Sequence, residues 1–546
     1  MKKAPVALII LDGWGAAKAS SGNAISQANL PVFNNLLNSY PNTIINTCGE
    51  AVGLPAGVMG NSEVGHENIG GGRVVTQKLT LISEAIQNGS FFTNKILLTA
   101  IEHVKKNNSK LHFMGLISEG DVHSHIGHLY ALFELAKRNK LKDVILHAIT
   151  DGRDDPPKYA NSLVPRIEKE LTKCNGRIAT VCGRFYGMDR DNRWQRVQRY
   201  YELVTKGEGF IASTALEAIE KAYERGSSEK ARNNETPLEV SDEFIQPTLI
   251  TNKKDLISDN DAVIFFNFRP DRAREITDAL TQNKFAGFPR EVFLKNLYYA
   301  CLTEYDTKLH SKEHADPVVP TAFTKNELSD VNKNRSLGEI ISSLKLKQIR
   351  IAETEKFRHV TSFFNMGREK EFEGETRILI PSPKVTTYDL KPEMSALEVG
   401  AETVKAIKSK EYSLIVVNFA NADMVGHTGI IPAAIKSVET VDKILGDIYS
   451  AIDEVNGTLI ITADHGNADQ MINDDGSIRT AHSLNPVPLI LISKDLKSAK
   501  LKENGKLADI APTILDIMGI DKPSEMNGEN LINQTKMRSE AANVVW

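Results

Sequence analysis

Three well-separated stretches of this chain place aspartate and histidine where a divalent cation would bind: Asp12 at the end of an apolar run, Asp423-x-x-x-His427, and Asp464-His465 followed by His482. Carboxylate oxygens and neutral imidazoles are the ligands that suit Zn²⁺, Mn²⁺ and related ions, and there are enough here for two ions. A lone Asp-x-x-x-His is commonplace. The groups gain meaning together, because each follows its own apolar run and Gly426 and Gly466 stand beside the ligands. The segment from Gly57 to His66, closing on Gly70-Gly71-Gly72-Arg73, is a glycine-rich turn that predicts a helix capped by Asn61 or Ser62. Glycines let backbone amides approach an anion at such a helix start. A serine hydroxyl is a poor nucleophile at neutral pH, but a metal ion activates it without a Ser-His-Asp triad. Neither Gly-x-x-x-x-Gly-Lys-Ser/Thr nor His-Glu-x-x-His occurs, so nucleotide-driven phosphoryl transfer and zincin-type proteolysis lose support.

The middle of the chain carries different chemistry. Arg153, Arg184, Arg190, Arg269 and Arg272 fall in turns after apolar runs. Arginine grips carboxylate and phosphate through a planar fork that lysine does not copy. Five of them in a near-neutral protein point to a small, doubly anionic ligand. Asp154, next to Arg153, is a candidate proton donor and acceptor for a substrate hydroxyl, with structural ion pairing as the bland alternative. His123 is a candidate further donor, and Lys356 is expected to reach toward the same ligand. His103, His112, His147, His310, His314 and His359 have no comparable context and read as core or surface residues.

These residues need a scaffold that presents strand ends. Short apolar runs recur between amphipathic stretches: Val6 to Leu11, Leu111 to Ile117, Val144 to Ile149, Ile178 to Val181, Val263 to Phe266, Ile378 to Ile380, Leu414 to Val417, Leu459 to Ile461 and Pro488 to Ile492. Runs that are apolar at consecutive positions suit strands covered on both faces by helices, hence α/β architecture with mainly parallel sheets. Ala131 to Arg138, Ala433 to Ile448 and Leu507 to Met518 are expected among the helices. In such sheets ligands collect beyond the carboxyl ends of the strands. The aspartate-histidine clusters lie near both ends of the chain and the arginine clusters between them. This segregation predicts two domains: a discontinuous one of residues 1–76 and 331–546, and an inserted one of residues 77–330.

With 546 residues, more than one domain is the default. Sixty-six Lys+Arg against seventy Asp+Glu, net charge -4, give no bulk attraction to nucleic acid or anionic lipid. Cys48, Cys174, Cys182 and Cys301 form no Cys-x-x-Cys pair, so buried thiols in a reducing compartment are expected. No apolar run approaches membrane-spanning length. Lys2-Lys3 and the run to Leu11 imitate a signal peptide, but Asp12-Gly13-Trp14-Gly15 follows at once, as after a buried strand.

Taken end to end, the chain resembles the cofactor-independent phosphoglycerate mutases of the alkaline phosphatase superfamily. The resemblance runs through Leu11 to Gly15, Gly60 to His66, Asp151 to Asp154, Arg184-Phe185-Tyr186, Met188 to Asp191, Asn267 to Arg274, Ala352 to Lys356, Asn421 to Thr428, Thr462 to Asn467 and Thr480 to Ser483. It implies a phosphatase-like domain with an inserted phosphotransferase domain that closes over it, and two divalent ions, most commonly Mn²⁺. Asp423, His427 and His482 would hold one ion; Asp12, Ser62, Asp464 and His465 the other. It further implies substrate contacts from His123, Arg153, Asp154, Arg184, Arg190, Arg269, Arg272 and Lys356. The implied activity is interconversion of 3- and 2-phosphoglycerate through a phosphoserine on Ser62, in glycolysis and gluconeogenesis, without bisphosphoglycerate. A cytoplasmic monomer with small phosphoglycerates as its only partners is the matching expectation. A metallophosphatase or another phosphosugar mutase is the competing enzyme reading, and a silent metal-binding protein the non-enzymatic one. Ser362-Phe363-Phe364-Asn365-Met366-Gly367 departs from the commoner Phe-Phe-Phe-Asn-Gly-Gly, which bears on local backbone geometry only. Ser227 to Glu235 and Ser329 to Arg335 look like extra loop material.

Overall fold

The computed structural model describes residues 4–228, 241–250, 253–310, 319–323, 335–385 and 387–533. Most of the two extra loop segments, 229–235 and 329–334, lies outside them. The chain divides into two compact units: Met1–Gln77 with Asn332–Trp546, and Lys78–Val331. Each is built on an eight-stranded, mainly parallel sheet.

In the first unit the sheet order is Glu375–Ile380, Gln348–Glu353, Leu414–Phe419, Val6–Leu11, Thr458–Thr462, Val487–Ile492, Asn42–Asn46 and Gly505–Lys506. The first five run parallel, and Val487–Ile492 pairs antiparallel with both its neighbours. Val6–Leu11, Leu414–Phe419 and Thr458–Thr462 are buried at every position, because helices such as Ala396–Ser409 and Ile431–Glu454 cover the sheet. Register then decides where the polar residues emerge. Leu11 pairs with Phe419 and Ile10 with Thr462, so Asp12, the short helix Asn421–Gly426 and Asp464 leave the sheet at one edge. Ile351 pairs with Val417, which brings Thr354–Lys356 to that edge as well.

The second unit repeats the plan in the order Thr321–Phe323, Tyr298–Thr303, Ala262–Phe265, Leu111–Ile117, Val144–Thr150, Gly176–Gly183, Thr248–Leu249 and Phe210–Ile211. Among the described residues of this sheet, only the Gly176–Gly183 and Thr248–Leu249 pair is antiparallel. Ile117 pairs with Thr150, and Thr150 with Gly183. Residues 118–123, 151–154 and 184–190 therefore share one strand-end edge. Among the described residues no helix is long and apolar enough to cross a membrane. All four cysteines are free, and only Cys48 is not fully buried.

Candidate active site: a carboxylate–histidine centre and an arginine cup

In the first unit, Ser62 opens the helix Ser62–Gly71, and the Asn61 side chain caps it by accepting from the Val64 amide at 3.0 Å. Gly65, one turn on, faces Asp464, where an added Cβ would meet the Asp464 Cβ at 2.7 Å. Gly13 has φ +77, and a Cβ there would lie 2.6 Å from the Asp423 backbone. Both glycines let these segments approach closely enough to share one centre.

That centre is buried. The Ser62 hydroxyl donates to Asp12 Oδ1 at 3.1 Å and lies 3.0 Å from His465 Nε2. Lys356 Nζ donates to Ser62 Oγ at 2.6 Å, Asp12 Oδ1 at 2.7 Å and Asp423 Oδ2 at 2.6 Å. Sequence reasoning expects Lys356 among the arginines; its ammonium instead sits among the carboxylates of its own unit. Asp423 Oδ1 lies 3.2 Å from His427 Nε2 and 3.3 Å from His482 Nε2, and those two nitrogens face each other at 3.1 Å. Their Nδ1 atoms point at carbonyl oxygens, Thr480 O at 2.6 Å and Gly60 O at 2.8 Å. A ring that donates from Nδ1 leaves Nε2 as a bare lone pair. Two lone pairs and a carboxylate oxygen converging on one point are the donor set of a cation.

The buried charges agree. Burial alone would raise Asp12 and Asp423, yet Lys356 and the neighbouring histidines hold both well below the usual carboxylate range. Burial alone would lower Lys356, yet Asp12, Asp423 and Asp464 hold it firmly charged. The same carboxylates outweigh burial at His465 and push it up to about 9. Even with His465 protonated beside Lys356, two single charges do not balance three buried carboxylates, and Asp464 Oδ2 is buried without a hydrogen bond among the described residues. The residues thus fit two divalent ions. His465 Nε2 lies 3.3 Å from Asp12, 3.7 Å from Asp464 and 4.0 Å from Asp423, and it also forms a compact donor group with Asp423 and His482.

Two supporting residues escape sequence reasoning. His66 Nδ1 lies 2.8 Å from Ser62 O and 3.2 Å from Asp464 Oδ2, and its Nε2 is 3.1 Å from Asn418 Nδ2. Asn418 Nδ2 also donates to Asp12 Oδ2 at 2.7 Å. His66 forms a compact donor group with Asp12 and Asp464. Both its nitrogens are engaged, however, so it orients Asp464 and the serine helix rather than offering a free lone pair. The spacing Ser62-x-x-x-His66, one helical turn, is the signal that was available.

In the second unit, Arg184 NH1 donates to Asp151 Oδ1 at 2.6 Å and to Asp154 Oδ2 at 2.5 Å. Asp151 Oδ1 also accepts from the Arg153 and Asp154 amides at 3.1 and 3.0 Å, so one buried carboxylate shapes the whole turn. Arg190 NH1 donates to Asp271 Oδ2 at 2.9 Å, and Arg269 Nε lies 3.3 Å from Asp271 Oδ1. Arg272 donates to Met188 O at 3.0 Å. Burial, then Arg190, Arg184 and Arg153, push Arg272 down to about 10, which shows how tightly the cations crowd. Crowded guanidiniums at a strand-end edge are relieved by an anion. His123 completes the group, its Nε2 3.9 Å from Asp154 Oδ2. The five arginines, His123 and Asp154 thus share one cup, and Arg153 and Arg190 remain half-exposed at its rim.

Comparison with known proteins places this arrangement. The Metalloenzyme superfamily matches residues 4–522. The 2,3-bisphosphoglycerate-independent phosphoglycerate mutase of Acetivibrio thermocellus is 50% identical over 537 residues, covering 97% of this chain and 100% of that protein. The 2,3-bisphosphoglycerate-independent phosphoglycerate mutase 2 of Methanosarcina acetivorans is 50% identical over 536 residues, covering 97% of each. A crystal structure of Leishmania mexicana phosphoglycerate mutase at low cobalt concentration superposes with TM-score 0.78 at 30% identity, covering 97% of this chain and 98% of that one. The chain belongs to the 2,3-bisphosphoglycerate-independent phosphoglycerate mutase family.

Proposed function

We propose that this enzyme interconverts 3-phosphoglycerate and 2-phosphoglycerate by passing the phosphoryl group through Ser62, with no bisphosphoglycerate. One observation carries the reading: Ser62 Oγ sits at a helix start between Asp12, His465 and Lys356, within hydrogen-bonding distance of all three. Two divalent ions, Mn²⁺ being the family's usual choice, would be held by Asp423, His427 and His482 and by Asp12, Ser62, Asp464 and His465. Bound there, they would favour the Ser62 alkoxide and offset charge on the transferring phosphoryl oxygens.

The chain's own residues do the rest. Ser62 Oγ, its proton already released to solvent, forms a bond to phosphorus as the ester oxygen of the substrate leaves, giving a phosphoserine and glycerate. Lys356 stays charged beside Oγ and stabilises the negative charge gathering on the equatorial oxygens. Asp154 gives a proton to the leaving oxygen, then takes one from the other hydroxyl when glycerate attacks in return. Arg153, Arg184, Arg190, Arg269 and Arg272 hold the carboxylate and phosphate of the ligand, keeping glycerate at high effective concentration instead of releasing it. That grip distinguishes a mutase from a phosphatase.

The test is the purified chain with 3-phosphoglycerate and Mn²⁺, wild type against Ser62→Ala, following 2-phosphoglycerate and inorganic phosphate together. Conversion by wild type alone, with little free phosphate, supports the reading. Equal rates in both proteins exclude Ser62 as nucleophile, and phosphate release without 2-phosphoglycerate makes the chain a phosphatase.

A further inference from the structure

Within the arginine cup one carboxylate has no role in the scheme above. Asp271 is the residue between Pro270 and Arg272, and it touches three members of the cup: Arg190 through Oδ2 at 2.9 Å, Arg269 at 3.3 Å from Oδ1, and His123, whose Nδ1 lies 3.5 Å from Oδ1. His123 Nδ1 and Asp271 Oδ1 are both buried without a hydrogen bond among the described residues. These two atoms face each other 3.5 Å apart, a loose geometry of the kind a bound ligand tightens. The two segments are already tied, since the Phe268 and Arg269 amides donate to His123 O at 2.8 and 3.3 Å.

The other ring nitrogen points the opposite way, Nε2 to Asp154 Oδ2 at 3.9 Å. His123 therefore lies between two carboxylates. Burial, with Arg184, Arg269 and Arg272 nearby, holds it well below its ordinary pKa in spite of Asp271, so the ring is neutral and carries one proton. Where that proton sits decides what the ring offers Asp154. Asp271 is the nearer carboxylate, and Arg269 and Arg190 hold it ionised against the effect of burial.

We propose that Asp271 is a positioning residue: it keeps the His123 proton on Nδ1, so that Nε2 is a hydrogen-bond acceptor aimed at Asp154. When Asp154 takes the proton of a glycerate hydroxyl, the new carboxylic acid donates to His123 Nε2. The proton moves from hydroxyl oxygen to Asp154 and stays there; His123 and Asp271 neither gain nor lose one. Without Asp271 the proton would shift to Nε2, where it would stabilise the Asp154 carboxylate and oppose its protonation. This inference rests on the proposed role of Asp154 in the mutase reaction.

The experiment has two arms, both on the full chain. In the first, the protein is labelled with ¹⁵N-histidine and loaded with diamagnetic Zn²⁺, and His123→Asn identifies the His123 resonances. The Nδ1-H tautomer is expected in wild type and in Asp271→Glu, and a shift toward Nε2-H in Asp271→Asn. In the second arm, kcat of the mutase reaction is expected to fall about ten- to hundredfold in Asp271→Asn, with partial recovery in Asp271→Glu and a changed kcat–pH profile. The double variant with His123→Asn should be no slower than His123→Asn alone. A wild-type Nε2-H tautomer, or fully additive losses in the double variant, overturns the inference. The tautomer arm needs no turnover and no Asp271 variant, so it judges the device even where a variant misfolds. Unchanged rates in Asp154→Asn would overturn the assigned role of Asp154 instead.

Discussion

The two units place opposite electrostatics on the same kind of platform. Each is a mainly parallel eight-stranded sheet whose register gathers polar turns at a strand-end edge. In the first unit that edge collects Asp12, Asp423 and Asp464 around one ammonium, all buried. In the second it collects five arginines around Asp151, Asp154 and Asp271, with Arg153 and Arg190 half-exposed. Buried carboxylates in excess demand cations, and crowded guanidiniums demand an anion. The contrast teaches that a strand-end edge fixes geometry alone; the turn residues choose whether it recruits a metal or a charged metabolite.

Experiments that break this contrast rank by expected effect. Ser62→Ala removes the group in the first unit that would carry phosphate, and mutase activity should fall by about 10³-fold or more in an enolase-coupled assay. Stripping divalent ions with a chelator should reduce activity by at least about 100-fold and lower Tm, both recovered on adding Mn²⁺. A chelated protein with unchanged Tm and activity would remove the metal from the first unit's account. On the other side, Arg272→Ala should raise KM for 3-phosphoglycerate about ten- to hundredfold while leaving Tm nearly unchanged. A loss confined to kcat would argue against a ligand grip.

Low pH should act on stability through buried histidines. In the second unit, His112 Nδ1 meets His147 Nε2 at 3.0 Å, and His112 Nε2 meets Asp261 at 3.1 Å, with Lys110 on the same carboxylate. Burial lowers both histidines, that of His147 strongly. The unfolded chain therefore binds protons below about pH 6.5 that the folded chain refuses, so stability is retained above that pH and lost below it. Each histidine should contribute a slope of about 1.4 kcal/mol per pH unit once the unfolded form is charged. Denaturant titrations from pH 7 to 5 should show the fall, and a His147→Gln variant should show a shallower one. The smallest effect belongs to Met366, which takes φ +58 where the family commonly has glycine. Met366→Gly trades left-handed strain against chain entropy, and stability should change by less than about 1 kcal/mol with activity unaltered.

How far this protein can be read without coordinates depends on burial. Val6–Leu11 and Leu111–Ile117 form strands over the residues their apolar runs mark, because strands covered on both faces admit little else. Gln348–Glu353 hides behind Arg350, a fully buried guanidinium whose NH2 donates to Gln348 Oε1 at 2.7 Å, whose Nε and NH1 have no hydrogen bond among the described residues, and which lies 4.7 Å from the Phe364 ring centroid. Asn42–Asn46 hides as a polar, half-exposed strand near the sheet edge. Residue type and spacing mark Asp12, Asp423, His427, Asp464, His465 and His482 together as candidate metal ligands and Ser62 as a candidate nucleophile in a glycine-rich turn, and only the family resemblance adds Ser62 to the ligands. Only the folded sheets decide that Lys356 lies on Ser62, that His66 and Asn418 brace the carboxylates, and that Asp271 faces His123. Those are contacts between distant stretches of chain, set by strand register and close backbone approach, and no local pattern encodes them.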